Sequence, residues 1–150
     1  MTKLATLLER LYALAPRGAL LGLDRVRDAA TRLGDVHQLP RYAHVAGTNG
    51  KGSTVAFLTT MGERAGLRTG AYTSPHLSRF AERIRVGGKP ISDDLLASCL
   101  EQVLALGDEL TFFEVATLTA LLAFRASDVE LAILEVGLGG RLDAVNAIDA

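Results

Sequence analysis

The sequence predicts an α/β fold, a mostly parallel sheet flanked by helices, and three observations carry that expectation. Apolar periodicity switches repeatedly between the helical repeat and the strand repeat along the 150 residues. Strands and helices alternate, which is the pattern of a parallel sheet with crossover helices. The segment VELAILEVG is an almost continuous apolar run, as expected of a strand buried on both faces.

The elements follow in order. Leu4, Leu7, Leu8, Leu11 and Leu14 repeat at i, i+3, i+4, i+7, and Leu23, Val26, Ala30 and Leu33 do so again after the break at Pro16 and Gly18, so two helices open the chain. YAHVAG reads as a short strand running into a glycine-rich loop. Val55, Leu58, Met61 and Ala65 then mark the inner face of the next helix. LRTGAYTS is a second strand, and ERIRVGGKPIS a small hairpin turning at Gly87 and Gly88. Ser92 is an N-cap, with Asp93 and Asp94 in the first turn of a helix reaching about Leu106. Thr111 and Glu114 have capping-box spacing ahead of the helix EVATLTALLAF.

Composition bounds the partners. At 49% hydrophobic the chain is long enough for one domain with a substantial core. A net charge of −1 gives no global attraction to nucleic acid or an anionic membrane, so affinity for a polyanion must come from a local site. Cys99 lies among Leu95, Leu96, Leu100 and Val103 at helical spacing and reads as a small buried hydrophobe. Glu9 and Arg10 interrupt the apolar pattern of the N-terminus, against a signal peptide or a membrane span; a cytoplasmic, reducing setting is expected.

Ligands of a parallel sheet sit at the carboxyl ends of its strands. Three segments directly follow predicted strands: GTNGKGST, TSPHLSRF and EVGLGGRLDAVN. If those strands are parallel and adjacent, the three converge. The first departs from the common phosphate loop, having Val45 at the first glycine position and Gly52 at the hydroxyl position. It still holds what anion binding requires. Gly47, Gly50 and Gly52 let backbone amides approach a phosphate, with Thr48 and Asn49 between them. Lys51 is a mobile cation, and Ser53 and Thr54 offer hydroxyls at a helix start to a phosphate-bound Mg²⁺. Glu135 is an acid at the end of an otherwise apolar strand, either a site residue or a solvated strand end. Ser74 is a ligand or a turn-former before Pro75. Arg83 and Arg85 are either guanidinium partners of an acidic substrate or alternating charges on a solvated strand face. Glu114 is accounted for by capping, His76 has no role assigned by its neighbours, His44 is a packing or surface residue, and His37 has no constellation around it. GLGG at 137–140 is no dinucleotide fingerprint, since Leu142 takes the third glycine position.

GTNGKGS resembles the phosphate loop of the Mur-ligase superfamily, and four ordered blocks resemble its folylpolyglutamate synthase/dihydrofolate synthase family: the loop, YTSPHLSRFAERIRVGGKPIS, TFFEVATLTALLAF and LEVGLGGRLDAVN. The resemblance implies a nucleotide-binding fold of the Mur-ligase central ATPase type, and an enzyme that joins L-glutamate to dihydropteroate or folate with ATP through an acyl phosphate. By resemblance, Lys51 contacts the β/γ-phosphates, Ser74 and Glu135 help hold Mg²⁺, and Asp143 lies near the pterin with Ala144 beside it; Ser53 joins the metal set and Arg83 the substrate contacts on the residue readings above. Ala81 stands where the family commonly has asparagine, and Val145 where threonine is usual. Family members are about three times longer, with a further metal-binding histidine, a carbamylated lysine and a C-terminal glutamate-binding domain. Residues 1–150 are therefore expected to be the N-terminal portion of the ATP-binding domain, with an incomplete sheet, exposed apolar surface and no ligation alone. The full-length protein is expected to be a monomer. Two other readings stay open, another Mur-type amide ligase and a non-catalytic nucleotide-binding module; the TSPH and GGRLDA blocks argue against the first.

Overall fold

The computed structural model describes residues 2–18, 20, 22–107, 109–137 and 141–148. Helix α1 spans Lys3–Tyr12, started by Thr2, whose hydroxyl accepts the Ala5 amide at 3.2 Å. A 3₁₀ turn at Ala15–Arg17 leads to α2, Asp24–Arg32. The strand β1, Tyr42–Val45, runs into the glycine loop and α3, Lys51–Arg64. After β2, Thr69–Tyr72, a 3₁₀ turn at Phe80–Arg83 feeds the hairpin of β3, Ile84–Val86, and β4, Lys89–Pro90. Helix α4 is Asp93–Leu104, capped by Ser92, and α5 is Phe112–Ala126, with both halves of the Thr111/Glu114 capping box made. The strand β5, Leu131–Glu135, is followed by a 3₁₀ turn at Ala144–Ala147.

The strands form one sheet in the order β1-β5-β2-β3-β4. The first three are parallel, with β5 between β1 and β2, and the hairpin extends the sheet antiparallel through β3 against β2. The hairpin expected from the sequence is thus part of the main sheet, placed there by hydrogen bonds to β2.

Strand alternation divides the core. Ala132 and Leu134 of β5 and Tyr72 of β2 enter the large cluster built on α1, α2, α4 and α5. Ile133 and Ala71 face the other way, into a small cluster with Val45 and Val55 under α3. The inner face of α3 differs from the expectation: Val55, Thr59 and Gly62 are buried, whereas Met61 is 66% exposed. The reason is close approach. A Cβ on Gly62 would stand 2.8 Å from Thr69 Cγ2 and 3.0 Å from Leu131 Cδ2, so the helix seats on the sheet through its smallest residue, and Phe57 and Met61 point outward.

Gly70 of β2 has the same role on the opposite face. A Cβ would lie 2.7 Å and 2.8 Å from ring atoms of Phe124, which is fully buried in α5. We expect Gly70→Ala to cost about 1–3 kcal/mol by overpacking. Urea unfolding should show a lower midpoint with an unchanged slope; an unchanged midpoint would mean that Phe124 moves aside freely.

Candidate functional site

The glycine loop owes its shape to Gly50, which precedes α3 in a left-handed conformation at φ 75°. Glycine has no side chain with which to cap. The first intrahelical bond is Thr54 N–H to Gly50 O at 3.0 Å, so the amides of Lys51, Gly52 and Ser53 lie ahead of the ladder at the positive end of the helix. Lys51 folds back over the loop, its Nζ donating to Gly47 O at 2.9 Å. The Thr54 hydroxyl donates to Gly50 O at 3.0 Å and is occupied inside the helix, which leaves the exposed Ser53 as the hydroxyl directed to solvent at this turn.

Glu135 ends β5 opposite Val45 of β1, and Leu134 before it pairs with Tyr72 at the end of β2. The three segments therefore do converge. Ser74 N–H donates to Glu135 Oε2 at 3.1 Å, and Gly52, Ser74 and Glu135 line one cleft of about 760 Å³ with Thr59, Thr73 and Arg85. The reading of Glu135 as a solvated strand end is overturned: it is 6% exposed. Among the described residues its carboxylate has no cationic partner, although a buried charge is costly unless paired.

Arg83 also departs from a solvated strand face. It ends the 3₁₀ turn ahead of β3, is 6% exposed, and its guanidinium carbon sits 5.5 Å and 5.3 Å from the ring centroids of Phe80 and Phe112. Arg83 Nε donates to His76 Nδ1 at 2.8 Å, and His76 Nε2 is 3.1 Å from the Tyr12 hydroxyl. Burial, then the charge of Arg83, lowers the His76 pKa. Burial raises that of Tyr72, against the Thr117 hydrogen bond and the nearby guanidinium. Asp143 spends both carboxylate oxygens on backbone: Gly137 N–H at 3.1 Å and Val145 N–H at 3.0 Å. It thereby caps the turn that carries the half-buried Ala144. Phe113 also lies against Gly137, its Cε1 3.6 Å from where a Cβ would be. Of the GLGG segment, 138–140 lie outside the described residues.

The remaining candidates resolve into structure. Glu114 is 3% exposed and accepts from Thr111 N at 2.8 Å and Arg25 Nη2 at 2.9 Å, which accounts for its carboxylate. Burial lowers the His44 pKa, and the ring lies 5.3 Å from that of Tyr42. Cys99 is buried, its thiol pushed up to about 11. No group of three or more His, Cys, Asp or Glu gathers as a metal cage, and no helix is long and apolar enough to cross a membrane, among the described residues. Sequence reasoning passed over Tyr12 and Phe112, since no local pattern links them to His76 and Arg83; only contact across the fold joins them.

Known proteins resemble this chain closely. No protein-family profile matches it. The dihydrofolate synthase/folylpolyglutamate synthase of Escherichia coli (strain K12) is 46% identical over 149 residues, 98% of this chain and 35% of that protein. The enzyme of the same name from Haemophilus influenzae is 44% identical over 131 residues, 87% of this chain and 30% of its own. Escherichia coli FolC in complex with DHPP and ADP superimposes with a TM-score of 0.92 at 43% identity, covering 99% of this chain and 36% of that one. A bifunctional folylpolyglutamate synthase/dihydrofolate synthase with Mn, AMPPNP and L-glutamate bound gives 0.91 at 44% identity, covering 100% and 37%. The chain spans about a third of the length of these relatives.

The loop that presents Ser74 and His76 is organised by Glu82, whose carboxylate accepts the amides of Leu77, Ser78 and Arg79 at 3.0, 3.1 and 2.8 Å. These bonds, that of Arg79 first, lower its pKa. The loop-ordering contribution is thus fully present above the ordinary glutamate value and is lost as pH falls through the lower folded value. The three amide resonances should titrate together in NMR below the ordinary glutamate range. Glu82→Gln should abolish that titration, and amides that ignore pH would contradict the arrangement.

Proposed function

Because the chain belongs to the folylpolyglutamate synthase/dihydrofolate synthase family and has the Mur-ligase fold, we propose that it forms the nucleotide- and metal-holding part of an ATP-dependent ligase joining L-glutamate to dihydropteroate or a folate. One observation carries this reading. The buried carboxylate of Glu135, without a cation among the described residues, shares a cleft with the uncapped start of α3. A carboxylate in that setting calls for a cation, and the helix start calls for an anion. A nucleotide phosphate carrying a divalent metal supplies both.

The donors fit such a metal. Glu135, Ser74 and Ser53 offer hard oxygen atoms, too few to enclose an ion, and phosphate oxygens would complete the shell. When bound, the Mg²⁺ neutralises charge on the phosphates during transfer to the acceptor carboxylate. The chain's own residues do the positioning. The amides of Lys51, Gly52 and Ser53 would hold phosphate oxygens, with Gly47, Thr48, Asn49, Gly50 and Thr54 shaping the loop. Lys51 would leave Gly47 O for the β/γ-phosphates. Asp143, tied to Gly137 and Val145, and Ala144 beside it would form the wall for the pterin. Arg83 is a substrate contact only through the residues in front of it, since its own guanidinium is buried.

Calorimetry of residues 1–150 with Mg-ATP tests the site. We expect binding that Lys51→Ala weakens by about 10- to 100-fold, the worth of a charge-assisted hydrogen bond, with unfolding stability changed by no more than about 0.5 kcal/mol. Equal affinity in the variant would remove the loop from the reading. In a protein of the relatives' full length, ADP release should require both dihydropteroate and L-glutamate. Glu135→Gln should raise the Mg²⁺ concentration needed for half-maximal rate; residues 1–150 alone should bind nucleotide without turning over.

A further inference from the structure

The cleft that holds Ser74 and Glu135 continues well past them. Gly52, Ala56, Thr59, Thr60 and Glu63 of α3 line one wall, so the cleft follows the helix for about three turns. Across from them stand Ala71 of β2, Thr73, Arg85 of β3 and Gly88 of the hairpin turn. Strand register orders these groups. Arg85 pairs with Ala71, about 10 Å along β2 from Ser74. Glu63 accepts the Thr69 hydroxyl at 3.1 Å, and Thr69 lies further from Ser74 than Ala71 does. That carboxylate closes the cleft, its Oε1 3.0 Å from where a Cβ on Gly88 would be.

The fold leaves the Arg85 charge unbalanced. Arg25, Arg32, Arg68 and Arg79 each meet an acid. Arg85 is half-buried and has no acid within ion-pair distance among the described residues; its Nη1 donates to Gly88 O at 3.3 Å. Glu63 lines the same cleft, yet Thr69 holds its carboxylate instead. The Nε and Nη2 donors of Arg85 therefore remain for a ligand, and a guanidinium takes a carboxylate through two parallel hydrogen bonds.

Its place suits a second substrate. In the ligase reading, phosphates occupy the start of α3 and the attacking amine faces the acyl phosphate at Ser74 and Glu135. The rest of the cleft runs along α3 to Arg85, between the hydroxyl-bearing Thr59, Thr60 and Thr73. L-glutamate with its amine at Ser74 extends its side-chain carboxylate along this polar passage, and the long arginine stem covers the remaining distance.

We propose that Arg85 is a substrate-binding residue that takes the side-chain carboxylate of the incoming amino acid and so sets a preference for L-glutamate over its amide. The proposal rests on the ligase reading above and gives this chain one contact with the second substrate.

NMR of ¹⁵N-labelled residues 1–150 in saturating Mg-ATP tests it. L-glutamate should shift the Lys89 amide, whose peptide carries the Gly88 carbonyl, together with the Arg85 Nε–H signal. L-glutamine, which lacks the side-chain charge, should leave both in place. Arg85→Gln should weaken L-glutamate about 10- to 100-fold, read from the Thr73 and Ser74 amides. The amides of 47–53 serve as the check that the variant keeps its fold and its nucleotide. An equal response to L-glutamine, or an undiminished one in Arg85→Gln, would overturn the assignment. So would inorganic phosphate moving the same signals as strongly as L-glutamate does, since the guanidinium would then be a general anion contact. A chain that answers Mg-ATP but ignores L-glutamate would overturn the proposal and leave the ligase reading standing. One that ignores Mg-ATP as well would overturn both.

Discussion

The placement of β5 governs the rest of the structure. A strand buried on both faces has no polar side to show water, so it must lie between other strands and beneath helices on either side. Leu131–Glu135 meets this by pairing in parallel with β1 and β2 at once. Because all three run in one direction, their carboxyl ends come together, and each is followed by a segment rich in polar and glycine residues. The acid at the end of the central strand is then buried where the loops meet, which gives Glu135 its place in the cleft beside the start of α3.

The two faces of the sheet are built differently. Among the described residues, four helices build the large core on one face, while α3 covers the other through a small cluster. Glycine lets α3 sit close: Gly62 admits Thr69 and Leu131, and the helix turns Phe57 and Met61 outward. Close seating also brings the start of α3 to the end of β5. The cleft lined by Gly52, Ser74 and Glu135 is a consequence of that contact.

Arg83 and Glu135 are buried charges with opposite surroundings. Arg83 is held among aromatic rings with its Nε donating to His76, while its buried Nη1 has no hydrogen-bond partner among the described residues. Glu135 has one amide donor and an open cleft. The first keeps one buried donor, Nη1, without a partner, and the second keeps its charge without a cation, among the described residues.

Much of this was legible in the sequence. The helices, the strands and both N-caps follow from periodicity and local hydrogen-bonding chemistry, which act over three or four residues and need no knowledge of the fold. The glycine loop and the acid at the end of VELAILEVG were legible as candidates for the same reason, since each lies in a short stretch. Tertiary structure decided what depends on residues far apart. Periodicity placed Met61 on the inner face of α3, but steric access at Gly62 turned the helix otherwise. Alternating charges suggested a wet strand for Arg83, yet the turn before β3 buries it against Phe112 of a helix much later in the chain. Tyr12 and His76 are 64 residues apart, and no local pattern joins them. A hydrogen bond between side chains leaves no period in a sequence, so only the packed chain reveals which donor meets which acceptor.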